Sequence, residues 1–290
     1  MTEQKINTLL ELYQNRRYVE AEKLSLSITL NFPKHQLAWK VLALALKQNG
    51  KISESLIAIQ KSVQLEPRDS NAHYNLGVIY QELRRLDEAE LCFRKTIKLK
   101  PDYIEAHNNL GFILQELRRL DEAEVSFRKI IELKPDNVEA HNNLGVTLHL
   151  LGRFEESEAC YRKAISLKPN FAEAHRNLAI TLVDMGRLEE AMSNYTKVIE
   201  LNPHLPQSLQ DLAGLLTSYT PHEGFSNPVV KVNEEIKKNY LKEKIIGIIS
   251  DDKIIKLFNR STSVIKKYNL KIETQSCQAF RQNSINLNCE

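Results

Sequence analysis

Six prolines stand on a ladder of fixed spacing: Pro33, Pro67, Pro101, Pro135, Pro169 and Pro203, each 34 residues after the last. A period held without slippage over this length marks one supersecondary unit copied end to end. Such an array grows linearly, each unit touching only its neighbours, so the usual relation between chain length and domain number does not apply to these 290 residues. Stacked units ordinarily act through the surface that stacking creates. The search for function therefore moves from a catalytic cleft to a face.

Setting the ladder proline at position 32 starts the units at Thr2, Gln36, Ser70, Ile104, Val138 and Ala172. Position 7 is then Leu42, Leu76, Leu110, Leu144 and Leu178, and position 24 is Ile59, Phe93, Phe127, Tyr161 and Tyr195. These large side chains are expected to meet across two helices of one unit. Small residues fill position 8 (Ala43, Gly77, Gly111, Gly145, Ala179) and position 20 (Ala21, Ser55, Ala89, Ala123, Ser157, Ala191), which lets the helix axes approach closely. Glycine inside a helix costs about 1 kcal/mol against alanine, so three copies at position 8 imply a packing reason. Each proline stops the second helix, because it cannot donate the i to i−4 bond and disfavours helix in the residue before it. Asn49-Gly50, Gly152-Arg153 and Gly186-Arg187 mark the turn between the two helices.

The copies WKVLALAL, HYNLGVIY, HNNLGFIL, HNNLGVTL and HRNLAITL closely resemble the tetratricopeptide repeat, whose signature sets W-x2-L-G-x2-Y, A-x3-F and P at this period. The resemblance is strong over 36–205 and weak over 1–35, where Thr8 replaces the position-7 leucine and Ser25 the aromatic. At position 4 only Trp39 keeps the signature tryptophan; His73, His107, His141 and His175 replace it. It implies an all-α fold: a right-handed α-solenoid whose first helices line a concave groove. The expected division is a degenerate unit over 1–35, five repeats (36–69, 70–103, 104–137, 138–171, 172–205) and a capping helix within 206–221. Beyond it the register is lost, and 222–290 reads as a small α or α+β appendage, complete or truncated.

A second ladder carries the binding candidates. Position 6 is Asn75, Asn109, Asn143 and Asn177. A carboxamide offers one acceptor and two donors, so it can hold a peptide backbone through both C=O and N–H whatever its side chains. The alternative is that these asparagines bond to a neighbouring helix. O-linked N-acetylglucosamine transferases carry a similar row on their superhelical repeats. Around it lie Tyr74, Asn108, Asn142 and Arg176 at position 5 and an apolar stripe at position 9: Val78, Phe112, Val146 and Ile180. Glu105, Glu139 and Glu173 at position 2, with Glu82, Glu116 and Asp184 at position 13, add acidic edges that either favour a basic partner or form a solvated face. The family's clamp for C-terminal carboxylates is missing, since position 9 is apolar and position 2 mostly acidic.

The reading that results is a noncatalytic scaffold gripping extended segments of partner proteins. The alternative is the substrate-recruiting part of a glycosyltransferase-like enzyme. No cofactor or metal is expected, and the histidine column reads as packing. Residues 1–222 carry 28 Lys+Arg against 29 Asp+Glu and 223–290 carry 12 against 8, too small an excess for nucleic acid, which also wants interleaved aromatics. Arginines at the interhelical turns read as solvated surface. Four cysteines without metal spacing suit a reducing compartment, and no apolar run reaches the roughly 18 residues of a membrane span, which gives an expectation of a cytoplasmic protein.

Overall fold

The computed structural model describes residues 3–202, all of whose regular elements are α-helices. Pro203, the expected capping helix and the 222–290 appendage lie outside the described residues. The described residues fall into two units, parted between Ala140 and His141. In chain order the helices are α1 (Glu3–Gln14), α2 (Tyr18–Asn31), α3 (Gln36–Gln48), α4 (Ile52–Leu65), α5 (Ser70–Glu82), α6 (Leu86–Leu99), α7 (Ile104–Glu116), α8 (Leu120–Leu133), α9 (Val138–Leu150), α10 (Phe154–Leu167), α11 (Ala172–Asp184) and α12 (Leu188–Leu201). From α3 onward every first (A) helix fills positions 1–13 and every second (B) helix positions 17–30. Neighbouring helices in sequence pack on one another within each unit, the stacked-hairpin architecture of an α-solenoid.

Three residues turn one helix into the next, and their backbone is fully used. Position 15 takes positive φ in all six copies: Arg16 (58°), Gly50 (78°), Arg84 (59°), Arg118 (61°), Gly152 (75°) and Gly186 (75°). This closes each A helix in a Schellman motif. In the second copy the Gly50 N–H donates to Lys47 O at 3.0 Å and the Lys51 N–H to Leu46 O at 2.9 Å. Lys51 then starts α4, its carbonyl accepting from Ser55 N at 2.9 Å. One residue thus ends the A helix with its N–H and opens the B helix with its C=O. The B helices have no side-chain cap; carboxylates in their first turn, such as Asp87 and Glu88, face the positive end of the helix dipole instead. At the far end, the residue before each ladder proline is driven out of helix, to φ −134° to −142° in α2, α4, α6, α8 and α10.

The core lies between the two helices of a pair. Position 20 is fully buried throughout, and Phe93, Phe127 and Tyr161 are sealed beneath it. A Cβ added to Gly77 would come within 2.7 Å of the Phe93 ring, one on Gly111 within 2.5 Å of Phe127, and one on Gly145 within 2.6 Å of Tyr161. Position 8 is glycine because the position-24 ring occupies the place of its side chain. Where position 20 is serine it adds a bond across the pair: Ser55 Oγ donates to Ala43 O and Ser157 Oγ to Gly145 O, both at 2.7 Å. Alanine at position 3 (Ala38, Ala72, Ala106, Ala174), unremarked in the sequence reading, is equally buried.

Successive B helices are joined by a lattice of opposite charges. The turn arginines, read from sequence as solvated surface, lie at the water's edge, and Arg84, Arg85, Arg119 and Arg153 also carry ion pairs. In the first unit Arg119 reaches back to Glu90 at 2.7 Å and forward to Glu122 at 2.6 Å, while Arg94 bonds both Glu90 (2.7 Å) and Glu122 (2.5 Å). The second unit repeats the four-membered ring with Glu158, Arg162, Arg187 and Glu190. In the N-terminal copies Lys51 pairs with the buried Glu22 at 2.6 Å. The Lys51 hydrogen bond holds the Glu22 carboxyl below its ordinary range, against burial, which pushes it up.

Candidate functional site

The position-4 column resolves first. Trp39 Nε1 donates to Pro33 O at 2.9 Å, and the Nε2 atoms of His73, His107 and His175 lie 3.0, 2.9 and 3.1 Å from the carbonyls of Pro67, Pro101 and Pro169. An indole and a neutral imidazole protonated on Nε2 present the same single N–H to the same carbonyl. The column therefore latches α3, α5, α7 and α11 each to the ladder proline six residues before it. Burial pushes the His107 pKa down, which favours that neutral form. No cluster of three or more His, Cys, Asp or Glu suited to a metal ion occurs among the described residues.

In the first unit the candidate face gathers around Tyr74. Its ring stacks on Tyr103 at 5.0 Å and tilts against Phe93 at 5.8 Å, and its phenol oxygen accepts from Asn109 Nδ2 at 3.3 Å. Asn109 thus uses one donor on the preceding repeat. Among the described residues Asn75 makes no side-chain hydrogen bond, and Lys40, at position 5 of the preceding copy, is turned to Asp69 at 2.7 Å. Asp69 also accepts from Gln36 and caps α5 through the N–H groups of Asn71 and Ala72. Burial raises the Asp69 carboxyl, and Lys40 with these donors outweighs it and leaves the group below its ordinary value. Phe112 stands 37% exposed with its ring edge-on to Phe127 at 5.7 Å; Val78 is half-buried, and so is Asn108.

The second unit presents a more closed version. Asn142 is 1% exposed; its Oδ1 accepts from Asn177 Nδ2 at 3.0 Å and its Nδ2 donates to Glu173 Oε1 at 3.1 Å. Asn143 is buried beside it, 3.5 Å away. Arg176 is half-buried, and Val146 and Ile180 pack on the core cluster of Leu178, Leu182 and Tyr195. Asn109 and Asn177 therefore bond to position 5 of the copy before. A spacing of 35 residues in sequence was the available signal.

The position-13 acids are drawn the same way: Glu82 to Lys47 (2.8 Å), Glu116 to Arg84 (3.0 Å) and Asp184 to His149 (3.3 Å). The position-2 acids Glu105 and Glu139 are exposed. In chemical terms the A-helix face offers carboxamides, one exposed ring and carboxylates. Cys92, on the B helix α6, is buried and its thiol is pushed by burial up to about 12.

With this geometry established, comparison with known proteins is informative. The tetratricopeptide-repeat profile matches residues 70–103, 104–137, 138–171 and 172–205. This stretch is a tetratricopeptide-repeat array. No curated protein matches the chain. Among solved structures, YrrB, described as a TPR protein with an unusual peptide-binding site, is 20% identical with a TM-score of 0.57, over 64% of this chain and 96% of that one. MamA from Desulfovibrio magneticus RS-1 is 21% identical with a TM-score of 0.56, over 59% of this chain and 97% of that one. MamA MSR-1 is 27% identical with a TM-score of 0.51, over 58% and 97%. These likenesses agree on the fold. No described helix is long and apolar enough to cross a membrane.

Proposed function

We propose that the A-helix face binds extended segments of partner proteins, the chain acting as a noncatalytic scaffold. The observation that carries this reading is the pairing of Asn75, a carboxamide with no partner among the described residues, with the exposed Phe112 ring on the same face of the first unit. Asn109 keeps its carbonyl oxygen and one N–H for a ligand backbone. Asn143 and Asn177 are tied into the repeat stack and contribute mainly by ordering that face. Net hydrogen bonds of about 0.5–1.5 kcal/mol each leave two asparagines short of even millimolar affinity, so burial of Phe112 and Val78 must supply the rest. The tetratricopeptide-repeat array and the peptide-binding description of YrrB support the same class of partner.

The recruiting role seen in O-linked N-acetylglucosamine transferases needs a nucleotide-sugar site, for which the sequence offers no glycine-rich loop. To test the scaffold reading, a photocrosslinking amino acid is placed at Asn71, beside the face, in the full chain expressed in its own cells. Crosslinked partner segments are then quantified with and without Asn75→Ala plus Phe112→Ala. A fivefold or greater loss of capture is expected, with helical content unchanged; undiminished capture would return both residues to a purely structural role.

A further inference from the structure

On the opposite side of the first unit, three large aliphatic side chains stand in water at one repeat position. Ile57, Leu91 and Val125, all at position 22, are 67%, 68% and 69% exposed on α4, α6 and α8. One such residue is unremarkable, but three in register form a line across successive B helices. The line is confined to these copies: position 22 is Lys23 in the first and Ala159 and Ser193 in the last two.

The charges beside the line are arranged with a direction. One turn toward the N-terminus on the same helix face lie Asp87 and Asp121, with Glu54 at the matching edge of α4. One turn toward the C-terminus lie Lys61, Lys95 and Lys129. Residues four and eight apart share a face, and eight residues of helix span about 12 Å, so Asp87 and Lys95 cannot pair with each other. Glu54, Asp87, Asp121, Lys61 and Lys95 form no ion pair with any described residue, while Lys129 pairs with Glu132 of its own helix at 2.6 Å. The surface is an acidic band, an apolar band and a basic band running in parallel.

A uniformly charged partner, such as nucleic acid or an anionic membrane, is repelled by one edge of this pattern. A second copy of the same surface, turned about a two-fold axis along the apolar band, is attracted by both. Aliphatic then meets aliphatic, and each acidic band meets a basic one across antiparallel B helices, which is the self-complementarity an isologous contact requires. We infer that Ile57, Leu91 and Val125 form the centre of a homodimer contact. Three helices by about 12 Å is a small patch, so the contact belongs to the weak class burying under about 1,200 Å².

Sedimentation velocity on the full chain, from about 1 μM to about 1 mM, tests it. The wild type is expected to shift from monomer to dimer with concentration, and Leu91→Asp to move that shift at least tenfold higher. The charge order is tested by two variants, Asp87→Lys with Asp121→Lys, and Lys95→Glu with Lys129→Glu. Each alone is expected to stay monomeric, whereas the two mixed associate, because reversed acids of one copy then face reversed bases of the other. Leu91, Asp87, Asp121 and Lys95 are exposed and Lys129 is half-buried, and circular dichroism checks that helical content is kept. A wild type that is monomeric throughout, a Leu91→Asp variant that dimerises like the wild type, or charge variants that associate no better mixed than alone would each overturn the contact.

Discussion

Two seams hold neighbouring helices together, and they work by different physics. Within a pair, a glycine backbone presses on a buried aromatic ring with no space left over. Between successive B helices, arginines and glutamates form four-membered rings at the water's edge. The inner seam is geometric: its strength depends on volume, and dense packing makes even one methyl group felt. The outer seam is electrostatic and screened, and exposed ion pairs contribute about 0–1 kcal/mol each. The inner seam therefore carries the stability. The outer one fixes which turn of one repeat sits beside which turn of the next.

The largest effect separating the two seams is expected from Gly111→Ala. Alanine gains about 1 kcal/mol of helix propensity but drives its methyl into Phe127, and overpacking of this kind costs about 1–3 kcal/mol. Urea denaturation should show net destabilisation that is indifferent to salt; a stabilised variant would mean the ring yields freely and the seam is looser than the geometry indicates. Next comes the turn between the seams. Arg118→Gly relieves a non-glycine residue from left-handed backbone and should raise stability by about 1 kcal/mol, seen as a higher melting temperature. The smallest effect belongs to the outer seam. Arg119→Ala should cost under about 1 kcal/mol, and the difference from wild type should shrink as ionic strength rises past the point where the Debye length falls below about 8 Å. A salt-independent loss would instead assign Arg119 a packing role.

How legible each seam was follows from the same contrast. The proline ladder, the glycine column and the small residues at position 20 each have a steric meaning that one sequence exposes, and the helix limits followed from them. The outer seam did not announce itself. Arginine at Arg84 and Arg118 gives no hint of left-handed backbone, which is legible only in the copies carrying Gly50, Gly152 and Gly186. Nor does sequence say whether Arg119 meets Glu90, 29 residues away, or water. The candidate site was legible in residue type and not in availability. All four asparagines looked equivalent, yet Asn75 alone of them faces a copy whose position-5 lysine is already engaged by Asp69.

The latch at position 4 carries a consequence of its own. Swapping indole for imidazole leaves the hold on the proline carbonyl intact, but it installs a basic nitrogen where tryptophan had only carbon. In the fourth copy, at His107, the joint between one hairpin and the next thereby acquires a response to acidity that the Trp39 copy lacks. At His107, where burial resists the added charge, acidification below the ordinary imidazole range must loosen the fold, since the unfolded chain takes up the proton first.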